Sequence, residues 1–172
     1  MKFLILIVIM LYMDVCYAAK TANIEFKATI EKGCLFQASS ILLDFGEYPT
    51  TSRQTNVTAS IVNSASSWNI KCTPNTPVSI VFGNGQNFLS SSQTRRLKSE
   101  VGNYYIDYSI YKDSGRSQLI GTGASTNKLE LSSTISNSML IFGVYGAIDL
   151  SLGEVNKSPG RYSDEILITI SW

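Results

Sequence analysis

Tyr162-Ser163-Asp164-Glu165-Ile166-Leu167-Ile168-Thr169-Ile170-Ser171-Trp172 closes the chain on two-residue alternation. Ile166, Ile168, Ile170 and Trp172 share one face of an extended strand. β-Branched residues in such a run suit a pleated, half-buried surface. The sequence stops inside this strand on a large aromatic, where termini more often fray into polar tails. A simple edge strand is one reading. The sharper one is a strand bordering a place where another strand docks.

The same period governs the other end. In Thr21-Ala22-Asn23-Ile24-Glu25-Phe26-Lys27-Ala28-Thr29-Ile30-Glu31, the residues Ala22, Ile24, Phe26, Ala28 and Ile30 point one way. Upstream, Lys2 precedes an apolar run from Phe3 to Met13, and Cys16-Tyr17-Ala18 supplies small residues at −3 and −1. This reads as a signal peptide over residues 1–18, with cleavage after Ala19 the alternative. The run is too short for a permanent bilayer span. Met13-Asp14-Val15 is a poor match to a lipobox, so Cys16 is expected to leave with the signal. Residues 19–31 then form a free N-terminal segment, and residues 32–172 a single domain.

Between these ends, short alternating runs recur without any helical period. The pattern predicts strands at Ala22–Ile30, Ser40–Phe45, Asn56–Val62, Trp68–Cys72, Val78–Phe82, Tyr104–Tyr111, Lys128–Leu131, Met139–Ile148 and Tyr162–Trp172. Gly46-Glu47-Tyr48-Pro49, Pro74-Asn75-Thr76-Pro77, Gly83-Asn84-Gly85, Asp113-Ser114-Gly115 and Lys157-Ser158-Pro159-Gly160 separate them with turn chemistry. The expected fold class is all-β, an antiparallel sandwich or barrel.

Composition excludes several functions. With 172 residues and a formal net charge of +1, the chain has room for one core and no field favouring nucleic acid. No second long apolar run argues for a membrane anchor. Histidine is absent, which removes Ser-His-Asp and Cys-His nucleophiles and histidine metal sites. Cys34 and Cys72 remain in an exported chain and are expected to form a disulfide. Closing a loop of roughly 40 residues contributes roughly 4 kcal/mol on the chain-entropy account. Neither Gly83-Asn84-Gly85 nor Gly121-Thr122-Gly123 has a phosphate-loop lysine. The carboxylate pairs Asp44/Glu47 and Asp164/Glu165 read as turn or strand-face residues rather than glycosidase acids. Tyr104, Tyr105, Tyr108 and Tyr111 divide between two strand faces, which suits packing better than a sugar platform. Arg95-Arg96 reads as a charge pair in a solvated loop. No enzyme, cofactor or metal is expected.

The motifs together resemble the spore coat protein U family, which includes subunits of archaic chaperone–usher pili. They run from Cys34 and Leu43-Asp44-Phe45-Gly46-Glu47-Tyr48 through Trp68-Asn69-Ile70-Lys71-Cys72-Thr73 and Val78-Ser79-Ile80-Val81. Arg96-Leu97, Ile106-Asp107-Tyr108-Ser109-Ile110-Tyr111-Lys112-Asp113 and Val144-Tyr145-Gly146-Ala147-Ile148 follow. The most specific piece is Pro159-Gly160-Arg161-Tyr162-Ser163-Asp164 and the strand after it. Ser90 to Gly102 and Lys128 to Met139 match poorly, and the first reads as a variable loop.

The resemblance implies an incomplete immunoglobulin-like sandwich lacking its final strand. It implies a periplasmic chaperone that fills the gap, an outer-membrane usher, and neighbouring pilin subunits in a surface pilus serving adhesion and biofilm formation. Residues 22–30 would be the donor strand, and Ile166, Ile168, Ile170 and Trp172 would line part of the acceptor groove. Burying Ile24, Phe26 and Ile30 would give roughly 5–9 kcal/mol before ordering costs. A pilus-tip adhesin and a secreted monomeric binding protein are the alternatives. An ordinary first strand paired within its own domain is the other reading of residues 22–30.

Overall fold

The computed structural model describes residues 25–38, 41–62, 68–134, 139–152 and 157–172. The signal segment, Ala22, Ile24 and Ser40 lie outside the described residues. The chain divides into two units, Met1–Glu31 and Lys32–Trp172. In the first, Glu25–Ile30 form no strand, and Phe26 and Ile30 are 91% and 92% exposed. Alternation specifies which face a strand would bury. It does not supply the ladder partner that holds a strand together.

The second unit is all-β among its described residues. Its strands are β1 (Cys34–Ala38), β2 (Val57–Val62), β3 (Trp68–Cys72), β4 (Pro77–Phe82), β5 (Arg95–Ser99), β6 (Tyr105–Tyr111), β7 (Lys128–Ser132), β8 (Met139–Leu140), β9 (Gly143–Ile148), β10 (Tyr162–Ser163) and β11 (Ile168–Ser171). They build three antiparallel sheets, ordered β1-β3-β8, β10-β5-β6-β9-β2 and β11-β4-β7. One core joins them. Trp68 and Ile70 of β3, Val78, Ile80 and Phe82 of β4, Ile106, Tyr108 and Ile110 of β6, and Val144 and Ile148 of β9 are buried together. Cys34 and Cys72 stand directly opposite in the β1–β3 ladder and are joined by the disulfide.

Five departures from the sequence reading within this unit have physical causes. Residues 41–45 join no ladder. Leu43 and Phe45 instead lie against Gly146 of β9, where a Cβ would collide with both. Alternating apolar residues were thus buried across a face rather than in a pairing. The run Met139–Ile148 is two strands. β8 pairs with β3, whereas β9 pairs with β2 and β6, so the chain changes sheet at Ile141 and Phe142. The last run breaks for the same reason. β10 pairs with β5 and β11 with β4, leaving residues 164–167 as the crossing. Alternation continues through such corners and cannot reveal them.

The fourth is a correction. Residues 90–102 contain β5 rather than only a loop, and Arg95 is 4% exposed within it, not solvated. The fully buried positions of β5 are polar, Arg95 and Ser99, and only Leu97 between them is an apolar residue packed on the core, so the strand lacked an alternating apolar signal. β1 also went unread, because Cys34-Leu35-Phe36-Gln37-Ala38 alternates poorly.

Candidate functional site

β4 and β11 differ sharply although they share a ladder. Ile168 lies opposite Phe82, and Ile170 opposite Ile80. Phe82 and Ile80 are 2% and 0% exposed, whereas Ile168 and Ile170 pack on the core but remain partly open. Ile166 continues this inward row, and Trp172 ends it 60% exposed. Among the described residues β11 has β4 on one side and no strand on the other.

β1 repeats the arrangement at the edge of its own sheet. Phe36 faces Ile70 across the β1–β3 ladder and is 43% exposed, whereas Ile70 is fully buried. Its ring meets Trp68 edge-on at 6.5 Å, and Trp68 meets Phe142 edge-on at 4.7 Å.

Edge chemistry separates these strands from β7, which flanks β4 on the other side. Leu129 and Leu131 of β7 are also only partly buried. However, β7 carries Lys128 and Glu130 on its outward face, paired at 2.9 Å. Charged side chains, lysine above all, discourage strand addition. β11 presents Thr169 and Ser171 there, and β1 presents Leu35 and Gln37, none of them charged. Edges of that kind are open to β-augmentation.

A polar cluster supports the start of β11. The Tyr108 hydroxyl donates to Asp164 Oδ2 at 2.6 Å, and the Asn87 backbone N–H and Nδ2 donate to Oδ1 at 3.0 and 3.1 Å. Burial, and then the hydrogen bond to Asp164, push the Tyr108 hydroxyl well above the usual phenol range. Arg95 donates to the carbonyls of Gly83, Ile120 and Gly121. Burial lowers the Arg95 guanidinium, and Tyr108 and Asp164 oppose that. Asp164 and Glu165, considered above as a carboxylate pair, thus have structural partners: Glu165 accepts from Gln86 Nε2 at 2.8 Å. Asp44 accepts from the Gly46 N–H at 2.9 Å in a turn. The four tyrosines divide as expected. Tyr108 is buried and Tyr111 partly so, while Tyr104 is exposed and Tyr105 lies under the Arg96 guanidinium at 4.0 Å.

The Spore Coat Protein U domain matches residues 20–169. The chain belongs to the spore coat protein U family. An immunoglobulin-like β-sandwich is the fold of this spore coat protein U chain. Among solved structures it is similar to a chain in the crystal structure of the CsuC–CsuE chaperone–tip adhesion subunit pre-assembly complex from the archaic chaperone–usher Csu pili of Acinetobacter baumannii. That likeness has a TM-score of 0.53 and 23% identity over 84% of this chain. The match spans 41% of that chain's length. A chaperone–usher pilus studied for rod uncoiling is also similar, with a TM-score of 0.45 and 11% identity, over 91% of this chain and 98% of that one. No curated protein matches the chain.

Proposed function

We propose that this spore coat protein U chain is a subunit of a surface pilus, built by donor-strand exchange. One observation carries the reading: Ile168 and Ile170 stay partly open opposite fully buried partners, at an uncharged sheet edge. That edge offers backbone groups and apolar area to an incoming strand. The segment at 19–31 has the complementary character. Phe26 and Ile30 are large, exposed and four positions apart, with Ala28 between them on the same face. Its polar face of Glu25, Lys27, Thr29 and Glu31 would stay in water.

On this reading the signal peptide sends the chain to the periplasm, where a chaperone covers the open edge until an usher exchanges it for the next subunit's leader. The contact is head-to-tail and heterologous, so it propagates as a filament rather than closing into a ring. Adhesion and biofilm formation follow from display of that filament. Deletion of residues 19–30 tests the scheme in cells. The expected result is loss of surface fibres with the subunit–chaperone complex still recoverable. Fibres in normal amounts would contradict it.

A further inference from the structure

Asp164 stands where the chain leaves one sheet for another. β10 just before it pairs with β5, and β11 after residues 164–167 pairs with β4. Its carboxylate accepts from Tyr108 on one oxygen and from Asn87 on the other. Tyr108 lies directly opposite Arg95 in the β5–β6 ladder. Arg95 in turn holds the carbonyl of Gly83, the residue that follows β4, and the Gly83 N–H donates to the Leu167 carbonyl just before β11. Two adjacent side chains of the five-stranded sheet therefore grip both members of the β4–β11 pair at the same end.

We propose that Tyr108 and Asp164, backed by Arg95, form a positioning clamp that keeps β11 docked while its outer edge is unfilled, so that the edge can receive a strand. This rests on the pilus reading given above. The need for a clamp is physical. Among the described residues β11 has four residues, one ladder neighbour and an inward face only partly packed. A short strand paired on one side opens readily. The entropy of β11 is restrained more cheaply by a fixed point at its start than by packing it does not yet have. A hydrogen bond to a carboxylate is about twice as strong as a neutral one. The site is shaped for it. Gly85 has φ +89°, and a Cβ there would collide with the Asp164 carboxylate. Within this cluster the sequence motif Tyr162-Ser163-Asp164 acquires a role: it aims the strand that follows.

The test uses the mature chain carrying Phe26→Asp, so that its own leader does not compete, and a synthetic peptide matching residues 20–31 as the probe. Tyr108→Phe and Asp164→Ala are added separately. The clamp predicts amide exchange of Ile168–Ser171 about tenfold faster in the free chain, and peptide release faster by a similar factor. Exchange in β6 and β9 stays at the parent's level. Asp164→Asn, which keeps an acceptor for one partner, falls between. Unchanged exchange at Ile168–Ser171 in the two truncating variants overturns the proposal, as does equal loosening of β6 and β9. A parent chain that never takes up the peptide sinks the pilus reading instead, and the exchange comparison still decides the clamp.

Discussion

Ile170 stands opposite Ile80 across the β11–β4 ladder, and only Ile80 is sealed from solvent. The two positions should therefore differ in how much a substitution costs the fold. Ile80→Ala empties a core site and should lower folding stability by about 2–5 kcal/mol. Ile170→Ala should lower it by less, because part of that burial is absent in the free subunit. Urea unfolding of both variants measures this. Assembly should depend on Ile170. Ile170→Asp should abolish heat-sensitive ladders on a denaturing gel, and Leu131→Asp at the charged β7 edge should leave them. Ladders lost only with Leu131→Asp would move the docking edge to β7.

The disulfide closes β1 onto β3 at Cys34 and Cys72. Among the described residues β1 is an edge strand, held by its ladder to β3, by Phe36 against Trp68 and by the Gly33–Thr73 hydrogen bonds at its start. Replacing both cysteines by serine should lower stability by about 4 kcal/mol. The urea midpoint should then become insensitive to reductant. A wild-type midpoint that does not move on adding reductant counts against this account.

Tyr108 gives a signed pH dependence. Its hydroxyl is held above the ordinary value of 10.0 by burial and by Asp164. The unfolded chain releases that proton first as pH rises, so the unfolded state gains. The stabilisation is complete below about pH 10 and is lost above it. Thermal unfolding between pH 8 and 11 should fall more steeply in the wild type than in Tyr108→Phe. Parallel curves would mean that Tyr108 is not the group responsible.

Gly85 tests the packing at the β11 crossing. Its φ of +89° and the carboxylate beside its Cα leave no place for a side chain. Gly85→Ala should lower stability by about 1–3 kcal/mol. Gly33→Ala, where a Cβ meets nothing within 4 Å, is the control and should change it little. Equal melting temperatures in the two variants would rule out the collision.

Much of the architecture could be read from periodicity. Trp68–Cys72 and the strands near Val78–Phe82 and Tyr105–Tyr111 alternate because one face of each packs on the core. What escaped was set by tertiary context. Arg95 looks solvated in sequence, since only the fold supplies the three carbonyls that accept from it. Phe142 sits at a corner that an unbroken apolar run conceals. At the candidate site, the inward row Ile166, Ile168 and Ile170 was legible from alternation. Its incomplete burial was not, because exposure depends on whether a neighbouring strand is there.

The central claim is that one subunit's leader completes another subunit's sheet. The most direct measurement is a titration of Phe26→Asp subunit into wild-type subunit during assembly, read as filament length by microscopy and gel ladder. The variant keeps its acceptor edge but offers no usable donor, so it can accept a leader only as the first subunit of a chain, and it adds starts without extending any filament. Mean length should fall steadily as its mole fraction rises. Wild-type lengths at every ratio, with the variant present throughout the filaments, would contradict the account.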